Sequence, residues 1–320
     1  MRLLKLVPDD TNIGFVRLRH WAFGLTLLLT VAAAGLVAVR GLNFGVDFEG
    51  GVMIEAHFKQ PPVLDTLRTE VDELGVGDAN LQQFGAADTV SIRLPMPTST
   101  DEGATNRLVQ TVESDLSKRY PGIAFNRAET VSGKVSNELV RNGIIAVFVS
   151  VIMIAIFSWL RYEWQFGVST FVAIAHDLLV TLGFFALTQL EFDLNIVAAV
   201  LTVIGYSIND KIVIDDRIRE NMRKYRQMDM RTLIDLSVNE TLPRTVMTSV
   251  TILLALGALL LFGGPVLRGF TAAMMLGVIV GTYSSIYVSS SLLITLGLKP
   301  EPFAAKPAKK SPASGAERIR

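Results

Sequence analysis

Apolar residues run through this chain in six long blocks, at about 21–39, 143–160, 166–189, 194–214, 245–263 and 269–297. A helix rises 1.5 Å per residue, so about 20 apolar residues cross a hydrocarbon core of roughly 30 Å. Each block therefore predicts a transmembrane helix. The stretch between the first two has a different texture. Gly51 to Phe58 alternates apolar and polar like a strand, and Val63 to Leu74 places Leu64, Leu67, Val71 and Leu74 at helical spacing before Gly75. Two further strands follow at Ala79 to Phe84 and Thr89 to Leu94, joined by a turn at 85–88. Asp101 to Tyr120 reads as a helix with Leu108, Val112 and Leu116 on one face, stopped by Pro121-Gly122, and Ile123 to Val131 as a fourth strand. The order βαββαβ predicts a ferredoxin-like α+β domain, a fold that by itself names no function.

The expected layout is an N-terminal segment 1–20, a first span 21–40, a soluble domain 41–142, spans two to six within 143–297 with a charged segment at 215–244, and a tail at 298–320. The tail is rich in Pro, Ala and Lys and is expected to be disordered. Met230, Leu233, Ile234, Val238 and Leu242 give the charged segment an amphipathic cast. It is read either as a helix lying on the membrane surface or as a solvated helical linker. Basic residues gather at the N-terminus (Arg2, Lys5, Arg17, Arg19), at Arg161, through 217–244 and in the tail, while the turns near 190–193 and 264–267 have none. The positive-inside rule then puts both termini in the cytoplasm and the soluble domain outside, which in a bacterial inner-membrane protein such as the resemblance below implies is the periplasm. Arg17 to Ala34 could also be read as a cleaved signal peptide, but its apolar run continues through Val37 and Val39, longer than such segments usually are.

Half of the 320 residues are hydrophobic and the mean hydropathy is +0.41, as suits a membrane protein. Thirty basic residues balance thirty acidic ones, so net charge gives no reason to expect a nucleic-acid partner. There is no cysteine, and His20, His57 and His176 lack ligand spacing, so neither a bound metal nor another cofactor is expected. The chain shows no P-loop, kinase motif set or Gly-x-Ser-x-Gly elbow. An ATP-driven or otherwise conventional enzyme is not expected, which leaves the membrane potential or a partner as energy source.

Ionisable groups within spans cost about 3 kcal/mol or more by insertion scales and usually mark function. His176-Asp177 lies near the middle of the third span and Asn209-Asp210-Lys211 in the fourth. Asp215, Asp216, Arg217 and Arg219 read as charged flanks solvated at the interface. Asp210 lies roughly 9 Å deeper, at the helical rise over six residues. Lys211 points about 100° away from it and can snorkel towards the interface. Arg244 opens the fifth span from the same side and can reach the depth of Asp210. The opposed effects of an arginine and of apolar burial on its proton affinity suit a proton relay, and equally a static ion pair between two helices. His176 and Asp177 extend such a relay or simply satisfy neighbouring helices. Gly277-x-x-x-Gly281, followed by Thr282, Ser284, Ser285 and Ser289 to Ser291, reads as a close-packing surface.

Gly41-Leu-Asn-Phe-Gly-Val-Asp-Phe-Glu-Gly-Gly51, with Gly45, Asp47, Phe48, Gly50 and Gly51, resembles the glycine-rich segment that follows the first span in the SecD/SecF family. Val203 to Asp210, with Gly205, Tyr206 and Asn209, and the continuation through Asp216-Arg217 to Asn221, are similar to the fourth-span signature of the SecF branch. Ala175 to Asp177, Leu242 to Thr245 and Gly281 to Ser285 match the third, fifth and sixth spans. The resemblance implies a bacterial inner-membrane protein of the RND superfamily. It would pair with SecD, associate with the SecYEG channel and YajC, and use the proton-motive force to help an unfolded polypeptide through export. It also implies proton-pathway roles for Asp210 and Arg244. Three positions depart from the pattern: Lys211, Asp215, and Gly133 where proline is usual. Two other readings are an RND-like half exporting lipids or small molecules and a non-transporting membrane scaffold.

Overall fold

The computed structural model describes residues 7–8, 11–77, 79–83, 86–97, 103–264 and 267–299. Expectations for Arg2, Lys5, Phe84 and the tail from 300 onward lie outside the described residues. The first span is α1 (Arg19–Arg40), preceded by one 3₁₀ turn (Val16–Leu18). Then come a short α2 (Val46–Glu49), β1 (Gly51–His57), α3 (Leu64–Asp72), β2 (Asn80–Gln83), β3 (Thr89–Leu94), α4 (Ala104–Arg119) and β4 (Ala124–Val131). The remaining spans are α5 (Gly133–Arg161), α6 (Trp164–Thr188), α7 (Leu194–Lys224), α8 (Met230–Phe262) and α9 (Arg268–Tyr283). The last continues through a π-helical stretch (Ser284–Ser289) into α10 (Ser290–Thr295). Among the described residues, six helices are long and apolar enough to cross a membrane, as the hydropathy blocks predict.

The sheet order is β2-β3-β1-β4 with every neighbouring pair antiparallel, the ferredoxin-like arrangement. Val52, Ile54 and Ala56 of β1 and Val90, Ile92 and Leu94 of β3 point to one face, where they pack with Leu67 and Val71 of α3 and Val112 and Leu116 of α4. Alternation should leave the other face of β3 in water, yet Thr89, Ser91 and Arg93 are buried as well. That second face sits on the end of the helix bundle. Arg93 pairs with Glu191 at 3.0 Å and donates to the Phe44 carbonyl at 2.7 Å. Asn43 and Gln82 both donate to the carbonyl of Gln189, a residue held at φ 55° where α6 ends. Phe44 forms a parallel bridge with Phe192, and Phe44, Phe48, Phe185 and Phe192 make a ring cluster beneath it.

The glycine-rich segment is built for this junction. Asp47 accepts from the Leu194 N–H while Asp193 accepts from Ile196 N–H. Two carboxylates thus cap the positive N-terminus of α7. A Cβ on Gly45 would lie 2.8 Å from the Glu191 carboxylate. Gly50 and Gly51 adopt φ of 73° and 128°, and a Cβ at Gly51 would sit 2.6 Å from the Leu94 carbonyl oxygen. Gly50 also packs against the Gly133 backbone, 3.2 Å from its Cα to the nearest such Cβ, so Gly133 adjoins the same turn.

In the bundle, α6, α7 and α9 form the interior, while α1, α5 and α8 carry exposed apolar faces such as Ile144, Phe148, Met153 and Phe157 on α5. The glycine pair works as read: a side chain on Gly277 would collide with Val203, and one on Gly281 would come within 3.0 Å of Ser207, both on α7. The 215–244 segment corrects the sequence reading. It is not a solvated linker, because α7 runs to Lys224, α8 begins at Met230 and only a short turn joins them. Leu233, Ile234, Val238 and Leu242 pack with Phe15, Val16, Tyr162, Ile218 and Met222, and Asn239 exchanges two 2.9 Å hydrogen bonds with the backbone of Ile13.

Two outcomes follow from the junction. Replacing Gly51 by Ala should destabilise the sheet domain by about 1–3 kcal/mol through backbone strain, seen as faster amide exchange in β1 and β3. Burial raises the Glu191 pKa, and Arg93 opposes that rise only in part. A carboxyl whose folded pKa is raised contributes stability below its unfolded pKa and loses it as pH rises through the folded value. Arg93→Met should therefore undock the domain at neutral pH and let it redock on acidification, measured as pH-dependent exchange protection at 189–194.

Candidate functional site

On α7, Val203, Ser207, Asp210, Lys211, Ile214, Asp215 and Ile218 are all buried, a helical stripe that turns from apolar to ionisable halfway along. Asp210 is 3% exposed. Its Oδ2 has no hydrogen-bond partner. Its electrostatic neighbours are Arg244 and Thr248 of α8, and Arg244 acts on it without closing a contact ion pair. The Thr248 hydroxyl is also directed at the backbone carbonyls of Arg244 and Thr245, so its one proton is shared among competing acceptors.

Ser207, one turn before Asp210 on α7, donates to Asp177 on α6. The Asp177 Oδ2 accepts from Ser207 at 2.7 Å and from Ser284 at 2.9 Å, while its Oδ1 is buried without a partner. Ser285 donates to the Ser207 carbonyl at 3.3 Å. Ser284 and Ser285 open the π-helical stretch, an irregularity often found at functional positions. The serine run read as a packing surface thus also supplies donors to a buried carboxylate. His176 goes elsewhere: its Nδ1 is 2.8 Å from Thr30 on α1 and its ring lies 6.5 Å from that of Tyr283. The two neighbours in sequence do not act together, and the structure brings Asp177, not His176, to the Asp210 side.

Lys211 and Asp215 overturn two expectations. Neither reaches water; they are 2% and 1% exposed. The Lys211 ammonium donates to Asp215 Oδ2 at 2.7 Å and to Ser169 of α6 at 3.1 Å. An i,i+4 spacing places both on one helix face, and α6 with the π-helical stretch covers that face before either can snorkel. The two departures from the family pattern are therefore partners of each other. Asp216 and Arg217 do lie at the surface: Asp216 accepts from Tyr162 at 2.9 Å, and Arg217 pairs with Glu220 and Glu240 at 2.7 Å each.

The other signature residues take different faces of α7. The Tyr206 hydroxyl donates to Ser249, which is 2.9 Å from Thr282. Gly205 and Asn209 stand with Ala198 and Thr202 on an exposed stripe; nothing lies within 4 Å of a Cβ built on Gly205. Sequence spacing had the information to separate these faces but not to say which was covered. Among the described residues no group of acidic and histidine side chains could hold a metal ion.

The protein-family description "SecD/SecF GG Motif" matches residues 35–62, and "Protein export membrane protein SecD/SecF, C-terminal" matches residues 111–299. A protein translocase subunit SecF from Cereibacter sphaeroides is 43% identical, covering 92% of this chain and 93% of the relative. One from Rhodobacter capsulatus is 41% identical over 98% of each. The chain belongs to the SecD/SecF family, as a SecF-type subunit. The crystal structure of SecDF from Thermus thermophilus, described as a translocon-associated membrane protein, matches with TM-score 0.82 and 36% identity over 91% of this chain. A SecDF structure in the super-membrane-facing form gives TM-score 0.68 at 37% identity over 92% of the chain. This SecF-type chain spans about 39% of the longer SecDF polypeptide. It is a multi-pass inner-membrane protein with the six-helix architecture and small antiparallel sheet of that family.

Removing one partner of a buried ion pair costs about 3–5 kcal/mol, whereas replacing both by apolar groups is often neutral. Lys211→Ala should therefore destabilise the bundle by that amount in detergent, and Lys211→Met with Asp215→Leu should recover most of it, as read by thermal unfolding.

Proposed function

We propose that this chain is one half of a proton-driven assistant of protein export. It pairs with a SecD half, associates with SecYEG and YajC, and acts on the exported unfolded polypeptide. Both termini lie in the cytoplasm and the sheet domain in the periplasm, in keeping with the basic residues at the α7–α8 end. Asp210 carries the reading: a buried carboxylate with one unpartnered oxygen, near an arginine that does not neutralise it by contact. A static lock between α7 and α8 would favour a contact ion pair, and a group that must load and release a proton would not. Asp177, in hydrogen bonds from Ser207 and Ser284, ties the state of α7 to α6 and the last span. His176 supports the α1 contact instead of the proton path.

The exposed stripe of Ala198, Thr202, Gly205 and Asn209 supports the pairing. An Asn amide is poorly served by lipid, and small residues let a second helix approach closely. A docked SecD half would cover this stripe and leave Asp210 and Arg244 beside the seam. The names of the relatives, translocase subunits, favour transport over catalysis on a substrate. Asp210→Asn keeps the shape and removes the titration. It should lower proton flux and export assistance at least tenfold, with assembly intact, in vesicles holding the chain and its SecD partner. Survival of both activities in an assembled complex would show the proton-relay assignment to be wrong.

A further inference from the structure

The α7–α8 end of the bundle carries a charged cavity that the proton reading does not use. It is open, about 380 Å³ in volume, and lined by Arg161 from the end of α5 and by Asp216, Arg219, Glu220, Arg223 and Lys224 of α7. Four cations thus face two carboxylates, and both carboxylates are engaged. Asp216 accepts from the Tyr162 hydroxyl and lies 3.7 Å from Arg161, while Glu220 pairs with Arg217. Glu240 of α8 is likewise turned to Arg217 and Asn221.

Two of the cations are held in place. Arg161 and Arg219 lie over the ring of Tyr162, 5.1 and 5.7 Å from its centroid. Arg219 also donates to the Arg161 carbonyl at 3.2 Å and lies 3.8 Å from Glu163. The other two are uncommitted: among the described residues Arg223 closes no ion pair, and Lys224 meets the ring of Tyr225 instead of a carboxylate. The cavity therefore presents surplus positive charge on a partly fixed wall, and its volume falls within the roughly 300–1,000 Å³ of small-molecule sites.

Its depth selects the ligand. Trp159 and Leu160 of α5 and Trp164 at the start of α6 are exposed, and tryptophans at the end of a span mark the boundary between hydrocarbon and headgroups. Asp216 is level with that boundary through its bond to Tyr162. From there to Arg223 the helix rises roughly 10 Å, comparable with the about 5–8 Å that the headgroup layer adds on each side of the hydrocarbon.

We propose that this cavity binds the phosphate headgroup of an anionic phospholipid in the adjoining leaflet. Arg161 and Arg219 supply donors from the wall, and a guanidinium can give two parallel hydrogen bonds to phosphate oxygens. Arg223 and Lys224 supply the unengaged charge. The acyl chains lie along the exposed Trp159 and Leu160, an apolar surface that a free phosphate would leave uncovered. A headgroup held there ties the α5–α6 turn to α7, the helix that carries Asp210.

The test uses the full chain reconstituted in phosphatidylcholine vesicles with roughly one phosphatidylglycerol in five lipids. After extraction in mild detergent, retained phospholipid is counted by native mass spectrometry. The parent should keep phosphatidylglycerol in preference to phosphatidylcholine. Arg223→Glu, at an exposed position that leaves the fold intact, should keep about tenfold less. Arg231→Glu reverses a charge on α8 outside the cavity and should retain lipid like the parent. Equal retention by Arg223→Glu and the parent, or an equal loss in Arg231→Glu, overturns the site. Thermal unfolding separates the sources of phosphate: phosphatidylglycerol should raise the midpoint, and inorganic phosphate added to the parent in phosphatidylcholine alone should not. An equal rise with inorganic phosphate overturns the lipid assignment.

Discussion

Everything in the bundle depends on the cost of holding charge away from water. A carboxylate or ammonium inside a low-dielectric interior is tolerated only with hydrogen bonds or an opposite charge. The close contact of α7 with α9, made possible by Gly277 and Gly281, brings serines and carboxylates within bonding distance. Asp177 takes two serine donors and Lys211 takes Asp215 and Ser169. Asp210 is left with an oxygen unpaired. Asp177 and Asp215 also keep one oxygen without a partner, so what sets Asp210 apart is an arginine that acts on it without closing a contact ion pair.

The same helix links the site to the sheet domain. Asp47 and Asp193 cap the N-terminus of α7, and Asp210 lies sixteen residues further along, roughly 24 Å at the helical rise. A tilt or rotation of α7 caused by a change at Asp210 would be felt at the junction where Arg93 meets Glu191 and Phe44 meets Phe192. Gly45, Asp47, Gly50 and Gly51 shape the joint between the sheet domain and the bundle. The domain stands on the bundle through polar contacts and one aromatic cluster.

The α8 extension shows how one segment can defeat a reading based on composition. Its charges suggested solvent or a membrane surface, but its apolar stripe found partners in the N-terminal segment and in the extension of α7. Periodicity identified the stripe correctly. What covered it came from residues more than two hundred positions away, such as Ile13 and Val16.

The amino-acid sequence by itself determined the six spans, the βαββαβ order and the anomaly of Asp210. Each follows from properties local to a stretch of chain: apolar length, alternation, and the cost of an ionisable group at membrane depth. Tertiary structure alone decided that Lys211 answers Asp215 and not the interface, that His176 turns away from Asp177, and that Gly205 and Asn209 face outward while Asp210 faces in. These depend on which way each helix is rotated and what packs against it. Side-chain reach and sequence spacing place Asp210 on a face of its helix, but only the neighbouring helices decide whether that face is wet, paired or buried with an oxygen unpartnered.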